Sequence, residues 1–63
     1  MAGKFFTVLI DNKPTMFEKG RIITIEPYDF GTKIIMEASH LEEEPIVYIT
    51  SESYDLVMKS YLT

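Results

Sequence analysis

The residues that could do chemistry begin with the only histidine, His40, which is followed by Glu42, Glu43 and Glu44. Nearby carboxylates favour a protonated ring, so a pH sensor or a metal ligand is one interpretation of His40. A metal site needs several convergent ligands, and one histidine beside loop glutamates gives weak, unspecific affinity. We therefore interpret His40 as a solvated loop residue and predict no metal site. The three glutamates are interpreted as a solvated tip or, alternatively, as a docking element for a basic partner.

No catalytic group is readable in the rest of the chain. Ser51 and Ser53 have no second histidine to activate them as nucleophiles. Glu26 and Asp29 could approach each other across a hairpin, but nothing in the sequence indicates the enclosed pocket that an acid–base pair needs. The 3 glycines are isolated, so no phosphate-binding glycine pattern is present. The sequence predicts a protein that is not an enzyme and has no cofactor.

The charge balance argues against nucleic acid as a partner. Six Lys and Arg residues stand against 10 Asp and Glu residues, which gives a formal net charge of −4. Binding to a phosphate backbone needs a basic patch, and the cations here are scattered along the chain. The aromatic residues are accordingly interpreted as core and interface residues rather than as platforms for bases. The acid excess would suit a basic protein partner.

The N-terminal apolar run, 5–10, is too short for a secretory signal and far short of the ~20 residues of a membrane span. We expect no membrane insertion. The chain has 63 residues and no cysteine, which favours a single domain, 1–63, and a cytoplasmic location.

The elements that must position these residues follow a period of two over most of the chain. The pattern predicts strands over 4–10, 21–28, 32–38 and 46–50, with 15–17 as a short return of the first strand. We expect Ile34 to face the core and Ile35 to face the other side, with Ile23 and Ile25 on the buried side of the preceding strand. Gly31 is predicted to supply the positive φ of the turn at 29–31.

The C-terminal segment changes to the period of a helix. Its apolar residues recur at helical spacing, at Tyr54, Val57, Met58, Tyr61 and Leu62. Thr50 or Ser51 is expected to cap the helix, and Leu56 lies off its apolar stripe. The predicted fold class is therefore α+β, with a small antiparallel sheet of about four strands and one C-terminal amphipathic helix packed on one face.

One sheet face and one helix stripe cannot cover all of the apolar residues, which make up 46% of the chain. A surplus on one sheet face indicates an interface, because a chain of this length buries only about 60% of its unfolded surface. Phe30 is notable because the tip of a hairpin is a poor place from which to fold inward. The candidate interaction residues are Phe5, Phe30, Ile35, Leu56, Glu42, Glu43 and Glu44.

Three segments resemble the small flagellar accessory proteins of the FlbD/SwrD type and similar short sheet-plus-helix proteins of bacteria and phages. The segments are 22–27, 31–36 and 47–57, and they read as a strand ending in Ile-Glu, a Thr-x-Ile strand, and a strand that leads into a capped helix. The resemblance implies a non-catalytic accessory protein that works through contacts. The chain departs from that family at Asp11-Asn12-Lys13-Pro14, where the family has an Asn-Gly turn, and in its longer loop at 38–45.

The leading functional hypothesis is thus a non-catalytic protein–protein interaction or accessory module of bacterial or phage origin that forms homo-oligomers. The alternative is a small-ligand sponge or sensor for nucleotide-type ligands, such as a phage inhibitor of host defence. That alternative needs a pocket between subunits that gathers Lys19, Arg21 or Lys33 with a tyrosine.

Overall fold

A computed structural model describes residues 3–38 and 43–63. The described chain is α+β, with five strands in two antiparallel sheets and one C-terminal helix. The elements are β1 (Phe5–Ile10), β2 (Lys13–Glu18), a 3₁₀ turn (Lys19–Arg21), β3 (Ile22–Tyr28), β4 (Gly31–Met36), β5 (Ile46–Thr50) and α1 (Tyr54–Leu62). The fold class is confirmed, but the single sheet of about four strands is wrong. β1 and β2 form their own sheet, beside a sheet in the order β3-β4-β5.

The β1–β2 hairpin turns on two residues, Asp11 and Asn12, with φ of 52° and 65°. Two successive positive φ values are the mark of a type I′ turn, whose twist matches the strands it joins, and Asp and Asn tolerate this region well. The turn is shorter than the predicted 11–14, because Ile10 already pairs with Lys13 and Leu9 with Pro14. The return strand is correspondingly longer than the predicted 15–17.

The β3–β4 hairpin has its positive φ at Asp29, at 51°, and no glycine of the described chain has a positive φ. The prediction that Gly31 supplies it is therefore wrong. Gly31 is required for another reason, since a Cβ there would overlap the carbonyl oxygen of Thr50 and lie 3.1 Å from the carbonyl carbon. The missing side chain lets β5 approach the start of β4.

A register shift at the start of β3 changes which isoleucine is buried. Ile22 pairs with Met36, but the next pair is Thr24 with Ile35, so Ile23 is the extra residue of a bulge. Ile22 consequently packs against the core, and Ile23 is 52% exposed. The prediction that Ile23 is buried is wrong, while the assignment of Ile25 and Ile34 to the inner side is confirmed.

The core lies between the two sheets and α1. Its buried apolar residues come from β1, β2, β4 and α1, and they are Phe6, Val8, Phe17, Ile34, Met36 and Val57. The Phe6 ring packs edge-on against Tyr61 at a centroid distance of 5.3 Å. These contacts hold α1 against the sheets, because a helix of nine residues has little stability of its own.

Two details of the helix differ from the sequence prediction. Ser53 is the N-cap, and its hydroxyl accepts a hydrogen bond from the amide of Leu56, so neither Thr50 nor Ser51 has that role. Leu62 continues the helical spacing but is 71% exposed, because the helix ends there beyond the edge of the core. Leu56 lies off the buried stripe, as predicted. Within the described chain, no helix has the length and apolar character needed to span a membrane.

Side-chain hydrogen bonds join the two sheets at the end of β5. The amide of Leu9 donates to Glu52 Oε1 at 2.8 Å, and the hydroxyl of Thr50 donates to the Leu9 carbonyl. Thr50 also accepts from the amide of Glu52, and the buried Thr32 hydroxyl donates to the Glu52 carbonyl at 2.9 Å. The unpaired edge of β1 is thereby satisfied at Leu9 without a continuous ladder between the sheets.

Thr50→Val should lower the free energy of unfolding by about 1–2 kcal/mol, since two part-buried main-chain groups, the Leu9 carbonyl and the Glu52 amide, lose their partner. Thr15→Val is the matched control, because the Thr15 hydroxyl makes an exposed bond to the Lys13 carbonyl two residues away. Urea denaturation measures the free energy of unfolding of both variants. Equal midpoints for the two variants would contradict this role for Thr50.

Candidate interaction surface

The side of the β3-β4-β5 sheet that faces away from the core is called here the outer face, and its members are Thr24, Glu26, Tyr28, Lys33, Ile35, Val47 and Ile49. The register places them together, because Ile35 pairs with Val47 and Lys33 with Ile49. Residues opposite each other in a ladder point to the same face. Val47 is 52% exposed, Ile49 is 46% exposed and Ile35 is half-buried. The outer face thus carries a contiguous aliphatic group formed by two neighbouring strands.

Phe30 stands at one end of this sheet, on the tip of the β3–β4 hairpin. Its side chain is 99% exposed, which confirms that it does not fold inward. It borders an open cleft of about 420 Å³ between the two hairpin turns and the end of β5. Asp11 and Asn12 line one wall of the cleft, and Tyr28 and Ile49 also contribute to its lining. The cleft therefore has an acidic rim, formed by Asp11 and Asp29, next to the exposed ring of Phe30.

The other predicted interaction residues do not all gather on this surface. Phe5 is exposed, but it lies on β1 in the other sheet, and Leu56 is exposed on α1. Glu43 and Glu44 are exposed just before β5, at the end of the sheet opposite Phe30. Glu42 lies outside the described residues, as does His40. Of the predicted set, Ile35 lies on the outer face and Phe30 lies at its end.

The exposed side of the β1–β2 hairpin has an apolar group of its own. Leu9 pairs with Pro14, and Met16 lies one pair further along on the same side, opposite Thr7. Leu9 and Met16 are both exposed. This second group is separate from the outer face, because it belongs to the two-stranded sheet.

Two lysine–tyrosine contacts bear on the nucleotide alternative. Lys33 Nζ lies 4.9 Å from the centroid of the Tyr28 ring on the outer face. Lys19 Nζ lies 5.9 Å from the Tyr61 ring and donates a hydrogen bond to the Thr63 carbonyl at 3.0 Å. Lys33 and Tyr28 are thus the pair placed at an exposed surface that a second subunit could reach. Among residues 3–38 and 43–63, no three carboxylate or histidine side chains gather in a way that could hold a metal ion.

Sequence reasoning did not single out Val47, Ile49 or Tyr28. The stretch Ile46-Val47-Tyr48-Ile49 is apolar at both parities, so alternation alone cannot say which pair faces out. The pairing of Val47 with Ile35 shows that Val47 faces out, because the sequence pattern places Ile35 on the side away from Ile34. A signal for the outer face was therefore present once β4 and β5 were taken as neighbours.

Comparison of the chain with models of protein families, with curated proteins and with solved structures found no match.

Proposed function

We propose that this chain is a non-catalytic protein-interaction module that assembles with copies of itself through the outer face. The observation that supports this most directly is the contiguous exposure of Ile35, Val47 and Ile49 on one side of a sheet, with the exposed Phe30 at its end. A bacterial or phage accessory role, which the resemblance to FlbD-type proteins implies, is part of the same proposal.

The energetic argument rests on the size of the chain. The part of the chain that the structure describes contributes six buried apolar side chains to the core, and a chain of 63 residues with a core of this kind has a small margin of stability. Burying a fully exposed Val or Ile side chain contributes about 1.5–3 kcal/mol, and the outer face offers three partly exposed ones. Association that covers them adds to the stability of the folded chain by mass action.

The aliphatic group also suits a second copy of the chain electrostatically. Ile35, Val47 and Ile49 carry no charge, and the charged members of the outer face, Lys33 and Glu26, lie opposite each other and have opposite signs. Two chains of net charge −4 repel each other at long range, so a contact whose own charges balance is more favourable for self-association than one with an acid excess.

Ile35→Asp should convert the assembled protein to monomer, since it places a carboxylate in the middle of the buried contact. Light scattering after size-exclusion chromatography measures the mass, and circular dichroism checks that the helix is retained. Phe30→Asp tests whether the hairpin tip belongs to the same contact, and we expect it to weaken assembly as well. Thr7→Asp is the matched control, because Thr7 is an exposed strand residue on the other sheet. Assembly of Ile35→Asp at wild-type strength would contradict the proposed contact.

A second candidate function is the binding of a nucleotide-type ligand between subunits, and the Lys33–Tyr28 contact is the observation in its favour. A cation over an aromatic ring could hold a phosphate and stack on a base. The acidic rim formed by Asp11 and Asp29 next to Tyr28 opposes an anionic ligand. Thermal stabilisation by nucleotides that is lost in Lys33→Gln would favour this function over a purely protein–protein one.

A further inference from the structure

We propose that copies of the chain also pair through the edge of this sheet, with strand β5 antiparallel to β5 of a second copy, so that the two three-stranded sheets become one continuous sheet. This inference rests on the proposed function, since it adds an edge contact that joins the outer faces of two copies into one surface, which stays free to pack against a further copy. It comes from the main chain at the edges of the sheets rather than from the side chains alone.

Two of the edge strands contain a proline at a position that blocks further pairing. In β2, Pro14 pairs with Leu9, and the hairpin register directs its nitrogen away from β1. In β3, Pro27 pairs with Thr32, and its nitrogen is directed away from β4 in the same way. A proline at an outward position removes a donor from the edge and hinders strand addition. These two edges are therefore poor sites for another strand.

The remaining edge of β1 is occupied in part by side chains. The amide and carbonyl of Leu9 point away from β2 and are bound by Glu52 and Thr50. Toward its other end, β1 lies against α1, where the Phe6 ring meets Tyr61. β1 is thus held within the molecule at both ends.

The edge of β5 has no proline and, within the described chain, no side chain bonded along its middle, although β1 approaches the end of this strand, where Thr50 and Glu52 bind Leu9. The register fixes its outward groups, because Gly31, Lys33 and Ile35 face β3, which leaves Thr32, Ile34 and Met36 to bond β5. Their partners are Thr50, Tyr48 and Ile46, so the amides and carbonyls of Val47 and Ile49 point away from the sheet. Within residues 3–38 and 43–63, no hydrogen bond satisfies these groups. The strand from Ile46 to Thr50 also has no charge and no proline.

The spacing of these groups is self-complementary. A two-fold axis at Tyr48 places Val47 of each copy opposite Ile49 of the other, and each such pair exchanges two main-chain hydrogen bonds. On the outer face, the same pairing continues the row of Ile35 and Val47 with an isoleucine from the other copy. Pro45 has no amide, so the new ladder ends after these two pairs.

The first test is amide hydrogen exchange followed by NMR at two protein concentrations. The amides of Val47 and Ile49 should exchange freely in dilute protein and become protected when the chain assembles, in proportion to the assembled fraction. The amide of Met16 is the internal control, because it points outward from β2 and should exchange freely at both concentrations.

The second test removes one donor without changing a side chain. The full chain can be made by chemical synthesis with an N-methyl group on Val47, and the dissociation constant should rise at least about tenfold, since two-fold symmetry removes two hydrogen bonds at once. N-methylation of Met16 is the matched control and should have no effect on assembly. Circular dichroism confirms that each synthetic chain is folded.

The outcomes separate this inference from the function on which it rests. If the chain assembles while the Val47 and Ile49 amides stay unprotected and N-methyl-Val47 assembles normally, edge pairing is overturned and packing of two outer faces remains. If the unmodified chain is a monomer at every concentration, the proposed function is overturned and edge pairing with it.

Discussion

Replacing Gly31 with alanine should remove a large part of the stability of this protein. The added Cβ would overlap the carbonyl oxygen of Thr50 and lie 3.2 Å from Ser51 Cα, and these are main-chain atoms that cannot rotate aside. Overpacking of this kind typically costs about 1–3 kcal/mol, and a rigid neighbour places it at the upper end. A domain of this size has a total stability of roughly 3–9 kcal/mol, so the loss is a large fraction of the whole.

Thermal unfolding followed by circular dichroism measures this effect, with an expected fall in Tm of roughly 12–24 °C. Gly20→Ala is the matched control, because no atom lies within 4 Å of a Cβ at that position and its φ is not positive. Its Tm should stay close to that of the unmodified chain or rise slightly. If Gly31→Ala and Gly20→Ala had the same Tm, β5 would not approach β4 as closely as described.

The second large effect is expected at Ile34, whose side chain is fully buried among residues of both sheets and the helix. Ile34→Ala should lower the free energy of unfolding by about 2–5 kcal/mol, because the removed methyl groups leave a cavity that close-packed neighbours cannot fill. Urea denaturation of dilute protein gives this value for the folded monomer.

Ile35→Ala is the informative partner of that variant, since the two isoleucines are adjacent in β4 and face opposite sides. In dilute protein Ile35→Ala should change the free energy of unfolding by less than about 1.5 kcal/mol, because its side chain is not enclosed in the core. At high concentration Ile35→Ala should weaken assembly directly. Ile34→Ala should weaken assembly only because it lowers the fraction of folded chain. Equal losses of monomer stability in the two variants would contradict the division of β4 into an inner and an outer side.

The alternation of residue types along the strands predicted much of the fold. Lys33 and Ile35 alternate with Ile34 and Met36, and this period of two assigned the faces of β4 correctly before any pairing was known. The helix followed from its own period, and its central residue, Val57, is fully buried. The pattern succeeded where strand and helix are regular, because there each side chain direction follows from its position alone.

The failures have local physical causes. One extra residue at Ile23 inverted the faces at the start of β3, and a bulge of this kind leaves no signature in a run of isoleucine and threonine. Gly31 was recognised as necessary but for the wrong reason, since its constraint is a close approach of Thr50, 19 positions further along the chain. Such a contact depends on tertiary packing, which a single sequence does not display.

The division into two sheets was beyond prediction for a related reason. It depends on hydrogen bonds that link Leu9 to Thr50 and Glu52, more than 40 residues away in sequence. Phe30 and Ile35 were nevertheless identified as surplus apolar residues, and both border the outer face or belong to it. Val47 and Ile49 needed the β4–β5 register, because apolar residues fill both parities of β5.

The central claim is that the outer face is a contact between copies of this chain, and sedimentation equilibrium of the unmodified protein tests it most directly. Over a range of concentrations that reaches tens of micromolar, the weight-average mass should rise from 7.3 kDa to twice that value or more. A mass that stays at 7.3 kDa throughout this range would contradict the claim.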